Sequence, residues 1–256
     1  GTKIFSLVGK VNQTGLVEVP MGMSLADIIY KIGGGIPEGK KLKGVQTGGP
    51  SGGIIPARHL ETAVDFEELT RLGSMMGSGS IIVMDEDTCA VDLARYFVDF
   101  LCDESCGKCL PCREGLKRMR EILNRIVCGK GEEGDLEVLR ETAALMKDAS
   151  LCALGRTAVN PVLSTMAYFP EEYAAHIRQK RCPSLSCKAL VSYTIQPERC
   201  IGCGQCLKNC PSKAISEQGD VCVIDQSLCS RCGICFDVCP PKARAVKKTS
   251  RGDGAG

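Results

Sequence analysis

Two stretches near the C-terminus carry cysteines at identical intervals. They are Cys200, Cys203, Cys206 and Cys210 followed by Pro211, and Cys229, Cys232, Cys235 and Cys239 followed by Pro240. Each reads C-x2-C-x2-C-x3-C-P. Zinc sites normally present cysteines in pairs and need only four ligands, so a tripod plus one, occurring twice, favours iron–sulfur chemistry over a pair of zinc knuckles. Eighteen cysteines in a short secreted protein would suggest disulfides, but no signal peptide opens this chain, which begins Gly1, Thr2, Lys3, Ile4, Phe5. The clustered spacing therefore says metal, in a reducing, cytoplasmic compartment.

The run is the bacterial two-cluster ferredoxin signature. Three thiolates at this spacing grip three irons of one cubane, while the fourth, carried away by three residues and a proline, faces the neighbouring cubane. Cys200, Cys203, Cys206 and Cys239 are accordingly assigned to one [4Fe–4S] cluster. Cys229, Cys232, Cys235 and Cys210 are assigned to the other.

The 256 residues suffice for two or three small domains. Lysine and arginine (32) nearly balance aspartate and glutamate (30), so nothing marks a nucleic-acid footprint. The basic stretch from Lys242 to Arg251 reads as a solvated tail, and Arg251, Gly252, Asp253 as a chance tripeptide. No apolar run approaches the ~20 residues of a membrane span, so no direct membrane insertion is expected.

Before Cys89 the chain is glycine-rich and free of cysteine, a unit of different chemistry. Ile4 to Val8 and Leu16 to Val19 predict strands joined by a turn at Asn12 to Gly15. Ser24 caps a helix carrying Leu25, Ile28, Ile29 and Ile32, which stops at Gly33. Further strands are predicted at Lys41 to Gln46 and Ser80 to Met84, giving a small α+β domain with a helix on a mixed sheet. From Thr88 to about Lys180 the apolar period becomes helical. Leu93, Tyr96, Phe97, Phe100 and Leu101 share one face, as do Leu116, Met119, Leu123 and Ile126, and then Leu136, Leu139, Ala143 and Met146. Asp135 and Asn160 are N-cap candidates, the latter before Pro161. Short connections between such segments predict an antiparallel helical bundle.

A third tripod, Cys106, Cys109 and Cys112, lies between the first two of these helices. No fourth cysteine follows at the ferredoxin distance. Cys152, in a loop between helices, is favoured as the fourth ligand over Cys128, which reads as a small buried apolar residue. Zinc or a three-iron cluster are the alternatives to a [4Fe–4S] cluster at such a tripod.

Glu104 to Arg113 (ESCGKCLPCR), followed by Ser150 to Gly155 (SLCALG), resembles the cluster-binding region of the NADH-binding flavoprotein subunit of respiratory complex I. The region from Gly9 to Gly53, with its Gln46 to Gly53 loop (QTGGPSGG), resembles that subunit's SLBB domain, a β-grasp fold. Continuation into a two-cluster ferredoxin resembles the flavoprotein β subunit of NAD(P)-linked [FeFe]-hydrogenases, including the electron-bifurcating type. The resemblance implies a multidomain α+β chain: an SLBB-like β-grasp domain (1–86), a helical bundle holding a [4Fe–4S] cluster (87–180), a linker (181–198), a 2[4Fe–4S] ferredoxin domain (199–247) and a flexible tail (248–256). It implies electron transfer between a flavin site and partner clusters, alongside a hydrogenase catalytic subunit, a thioredoxin-like [2Fe–2S] subunit and soluble ferredoxin. The family's FMN- and NAD(P)-binding domain is not in this sequence. Gly34 to Lys41 has lysine where a P-loop needs Ser or Thr, and Gly77 to Ile81 precedes a strand instead of following one, so both read as turns. The isolated chain is therefore expected to lack catalytic activity of its own. Equivalent subunits of an NAD-dependent formate dehydrogenase, another flavin-based bifurcating oxidoreductase or complex I are alternative readings.

Six cysteines remain: Cys89, Cys102, Cys128, Cys182, Cys187 and Cys222. His176, Cys182, Cys187 and Cys222 are expected to form one Cys3His zinc site tying the bundle's end to the ferredoxin. The alternative is a surface histidine and buried thiols. Cys89 and Cys102 are read as structural, and His59 is unassigned. A rival of another class makes the first domain the functional part, its glycine loop offering backbone amides to a ligand or a docking partner while the clusters only stabilise the chain.

Overall fold

The computed structural model describes residues 1–251. Strands β1 (Thr2–Gly9) and β2 (Gly15–Pro20) form an antiparallel hairpin with Thr2 opposite Pro20 and Leu7 opposite Gly15. After β3 (Leu42–Thr47), β4 (Ile54–Pro56) and the short helix α1 (Phe66–Arg71), strand β5 (Ser80–Asp85) returns to the centre of the sheet. The order is β2-β1-β5-β3-β4, with β1 and β5 parallel and the other pairs antiparallel. This is the β-grasp arrangement.

The four strands expected from sequence are present within a residue or two. Strand β4 and helix α1 were not foreseen: three residues are too few for an alternation to register, and α1 is marked only by its cap, where the Asp65 carboxylate accepts the Glu68 N–H at 2.7 Å. The helix after Ser24 is there, but Asp27–Ile32 winds as a π-helix, with the Gly33 N–H reaching the Ile28 carbonyl at 2.9 Å. It presses Ile28 and Ile29, both fully buried, onto Phe5, Leu7, Val45 and Ile81. Each such side chain contributes about 1.5–3 kcal/mol by leaving water. Pro37–Gly39 and residues 77–79 are turns, as expected.

The Gln46 to Gly53 loop folds on its own backbone. A Cβ added at Gly53 would collide with the Gly73 carbonyl oxygen, and one at Gly52 with that of Thr47. The buried Ser74 hydroxyl accepts the Gly53 N–H at 3.0 Å and sits 2.7 Å from Thr47 Oγ1. These glycines serve close chain approach.

Helices α2 (Ala90–Glu104), α3 (Leu110–Val127), α4 (Asp135–Ala149), the short α5 (Ala153–Thr157), α6 (Asn160–Tyr168) and α7 (Pro170–Ile177) share one aliphatic core. In α3 and α4 the predicted faces point inward. In α2 the buried face is Val91, Ala94, Phe97, Val98 and Leu101, whereas Tyr96 and Phe100 of the expected stripe are exposed, because the 94, 97, 98, 101 spacing turns the core face away from both rings. Asp135 starts α4 with its carboxylate on the Glu132 N–H at 2.8 Å and paired to Arg125.

The sheet and the bundle share a hydrogen-bonded seam. Ile54 donates its N–H to Ser164 Oγ (2.9 Å), Asn160 Nδ2 donates to the Ser51 carbonyl (3.1 Å), and the Tyr168 hydroxyl donates to the Leu72 carbonyl (3.0 Å). His59 packs its ring against Tyr168.

The C-terminal part comprises β6 (Val191–Ile195), the one-turn helix α8 (Gln205–Lys208), the hairpin β7 (Ile215–Gln218) and β8 (Val221–Ile224), the one-turn α9 (Ile234–Asp237) and β9 (Val246–Ser250). Strand β9 pairs antiparallel with β6. Residues 191–195, expected as linker, and 248–250, expected as tail, are therefore strand. The rest of the expected tail, 252–256, lies outside the described residues.

Gly53→Ala tests the loop's packing. The added methyl meets backbone, which cannot rotate away, so chemical denaturation of the full chain should show a loss of about 1–3 kcal/mol or more.

Candidate metal centres

In the C-terminal part, two pockets are bordered by the cysteines of the two runs. Cys200, Cys203 and Cys206 line the first together with Cys239 from the second run. Cys229, Cys232 and Cys235 line the other together with Cys210 from the first run. Each tripod is turned by a left-handed glycine before its third cysteine, Gly204 at φ 65° and Gly233 at φ 85°, a conformation that glycine adopts without a Cβ clash. Cys206 and Cys235 are thereby buried in one-turn helices. The two crossing cysteines receive matching backbone donors: the Ala214 N–H lies 3.3 Å from Cys210 Sγ, and the Ala245 N–H 3.3 Å from Cys239 Sγ. Burial pushes the Cys206 thiol up to about 12 and the Cys235 thiol up to about 11, so at neutral pH a cation is needed to hold either as thiolate.

The third tripod occupies the start of α3, with Cys109 at its N-cap and Cys112 in its first turn. The backbone amide of Leu151 holds the Cys109 thiol below its ordinary value, which brings the loop bearing Cys152 against the tripod. Burial raises the Cys112 thiol, and Cys109, Cys152 and Cys106 add their charges to the same effect. A Cβ on Gly155 would come within 2.6 Å of Ser150 Cβ and 3.1 Å of Cys112 Cβ, so a glycine here lets α5 pack closely against Ser150 and Cys112. Arg156 Nε donates to the Ser150 carbonyl (2.9 Å) and fixes the loop. Cys128 caps the far end of α3 and is exposed, not buried as expected. At 1.5 Å per residue it lies roughly 28 Å from Cys109 along the helix.

Four further ligands converge at the joint between sheet, bundle and C-terminal part. They are Cys89, His176, Cys182 and Cys187, all buried, with their ligand atoms within 4.8 Å of one another. His176 Nε2 is 3.4 Å from Cys89 Sγ and 3.3 Å from Cys187 Sγ, and the two sulfurs are 3.7 Å apart. Tetrahedral zinc with Zn–S near 2.3 Å and Zn–N near 2.05 Å requires about 3.8 Å between sulfurs and about 3.6 Å between nitrogen and sulfur. The donor set fits. His176 Nδ1 donates to the Glu172 carbonyl at 2.7 Å, which fixes the tautomer and leaves Nε2 toward the thiols. Hydrogen bonds from Cys187 and Cys89 drive the Cys182 thiol far below its ordinary value, while Cys187 is driven up by hydrogen bonds to Cys182 and Cys89.

This corrects one expected ligand. Cys222 does not join His176, Cys182 and Cys187. The alternation of β8 turns it inward with Ile224, and it lines the first cavity beside Cys206. Cys89 takes the fourth place. It lies 87 positions from His176, too far for spacing to link them, and its one signal is its location where the sheet ends and α2 begins. Cys102 is half-buried against the bundle core.

Three family models match in the order of the fold: SLBB domain over residues 4–55, NADH-ubiquinone oxidoreductase-F iron-sulfur binding region over 92–176, and 4Fe-4S binding domain over 193–216 and 222–244. The second of these models spans nearly all of the bundle. Over 216 residues the chain is 53% identical to the NADP-reducing hydrogenase subunit HndC of Solidesulfovibrio fructosivorans, covering 84% of this chain and 44% of that protein. It is 43% identical over 183 residues to an NADH-quinone oxidoreductase subunit of Rhizobium meliloti (strain 1021), covering 72% and 44%. Among solved structures it superposes on a chain of an NAD+-reducing [NiFe]-hydrogenase in the H2-reduced state with a TM-score of 0.62 and 32% identity, over 70% of this chain and 29% of that one. The chain thus spans less than half the length of these relatives. The resemblance read from the three cysteine motifs and the glycine loop holds. No helix among the described residues is long and apolar enough to cross a membrane.

The geometry exchanges the roles that the sequence reading gave Cys222 and Cys89. Cys89→Ser should release about one zinc per chain from anaerobically purified protein without changing its iron content, whereas Cys222→Ser should leave zinc in place. Zinc retention should also weaken as pH is lowered, because thiolate ligands bind protons in competition with the metal. Metal analysis after dialysis reads both.

Proposed function

We propose that the chain is the iron–sulfur electron-transfer portion of an NAD(P)-linked hydrogenase complex in the cytoplasm, of the electron-bifurcating type. Three [4Fe–4S] clusters are held by Cys106, Cys109, Cys112 and Cys152, by Cys200, Cys203, Cys206 and Cys239, and by Cys229, Cys232, Cys235 and Cys210. What supports this most is the pair of neighbouring cavities, each bordered by three cysteines of one run and the fourth of the other. Such clusters supply one-electron transfer without proton chemistry. The polypeptide would hold the clusters through these cysteines; it buries the third thiol of each ferredoxin tripod and directs backbone N–H groups at Cys210 and Cys239. Hydrogen bonds to cluster sulfurs tune reduction potential.

In this reading Cys89, His176, Cys182 and Cys187 hold a structural zinc where the C-terminal part leaves the bundle. All four corners come from protein, as in closed structural sites. FMN and NAD(P) bind outside these 256 residues. Electrons pass between that flavin site and clusters of partner subunits, among them a hydrogenase catalytic subunit and a thioredoxin-like [2Fe–2S] subunit, or soluble ferredoxin. The second reading is the equivalent subunit of an NADH-quinone oxidoreductase, favoured by the match of 92–176 to that family's iron–sulfur region. A ligand-binding role for the glycine loop is disfavoured, because the loop's close approaches are to Thr47 and Gly73 and its Ser51 carbonyl is taken by Asn160.

Anaerobic material should contain about twelve irons and twelve acid-labile sulfides per chain, the sum of three cubanes, and should take up several electrons reversibly in reductive titration. Failure to accept electrons at full iron content would sink the relay. Cys210→Ser should damage the cluster of the Cys229, Cys232, Cys235 tripod, visible as loss of one component in the electron paramagnetic resonance spectrum of the reduced protein. Selective loss of the Cys200 tripod's cluster would overturn the crossed assignment.

A further inference from the structure

Lys43, on β3, and Glu172, on α7, form an ion pair with side-chain exposures of 13% and 8%. Removing two charges from water costs several kcal/mol per ion, so a buried pair needs additional partners to persist. Those partners flank the zinc ligands. Lys43 Nζ donates to the carbonyl of Thr88, the residue before Cys89, and lies 3.4 Å from the hydroxyl of Ser184, between Cys182 and Cys187. That hydroxyl donates in turn to the Thr88 carbonyl at 3.1 Å. Glu172 Oε2 accepts the N–H of Ala90, the residue after Cys89, at 2.9 Å. The backbone carbonyl of Glu172 takes the Nδ1–H of His176 at 2.7 Å. Phe169 places its ring 5.5 Å from the ammonium and closes the other side.

We propose that Lys43 and Glu172 are positioning residues for the Cys3His centre, by which the β-grasp sheet sets the spacing of the three chain segments that carry its ligands. The inference rests on the zinc reading of that centre. A metal must collect ligands from residues 89, 176, 182 and 187, and any freedom those segments keep before binding is lost on binding. Lys43 joins the first segment to the last, and Glu172 joins the first to the helix bearing His176. Outer-shell partners that orient metal ligands are typically worth 10–100-fold in metal affinity, and the Lys43 and Glu172 side chains act through the backbone on either side of Cys89. Through linkage the bound metal in turn holds the sheet against the bundle.

The test uses the full chain with its iron in place and follows zinc transfer to a chromophoric chelator. Lys43→Met and the near-isosteric Glu172→Gln are each expected to weaken zinc retention about 10–100-fold at unchanged iron content, and to alter the visible bands of the cobalt-substituted centre. Ser164→Ala cuts another bond of the same seam and should do neither. Wild-type retention and cobalt bands in both Lys43→Met and Glu172→Gln, or an equal loss in Ser164→Ala, would overturn the positioning role while leaving the zinc site standing. A wild-type chain with full iron and no zinc would remove the zinc reading and this inference together. If Lys43→Met yields no folded protein, Glu172→Gln decides.

Discussion

A turn of chain bearing three thiols closes only three corners of a four-cornered site, and the fourth has to come from elsewhere. In the C-terminal part, Cys210 and Cys239 are exchanged between two neighbouring cavities, so neither half is complete by itself. In the bundle, the chain runs through all of α3 and α4 before Cys152 comes back to the tripod at the start of α3. Short helices, left-handed glycines and close approaches follow from that demand. Gly204 and Gly233 turn the tripods, and Gly155 lets α5 reach Cys112.

At the joint of the three parts the same demand is met across longer stretches of chain. Cys89 closes a site whose other members lie 87 or more positions downstream. A buried lysine–glutamate pair spans the same joint, at a place where apolar packing would avoid the cost of desolvating two charges. Hydrogen bonds confer direction that apolar contact lacks, and here they run to Thr88, Ala90 and Ser184. The glycine-rich loop of the sheet is likewise committed to internal approach and to α6.

Much of the fold is legible in the chain because its signals are local. The alternations in β1, β2, β3 and β5 and the helical stripes of α3 and α4 predict elements that form as read. The weak points are equally local in origin. Strand β4 is too short to show a period, and in α2 two aromatics, Tyr96 and Phe100, outweigh smaller residues in a reading by hydrophobicity although Ala94 and Val98 face the core. Aromatic bulk is not a measure of which face packs. Strands β6 and β9 pair across 51 to 59 positions, Ile195 opposite Val246 and Val191 opposite Ser250, so neither reads as sheet from its own neighbours.

The tripods are a property of the chain alone, since three thiols within seven residues need no tertiary contact to lie near one another. So is the order of the three domains, each recognisable by its own period or spacing. The fourth corners belong to the packed molecule. Cys152 stands beside its tripod because a loop returns, and Cys128, closer in sequence, stands a helix-length away. Cys89 displaces Cys222 at the joint because strand alternation turns Cys222 into the C-terminal core, while the end of β5 delivers Cys89 to His176. Ligands contributed from distant segments depend on how packed elements are aimed, and spacing along a chain carries no record of that.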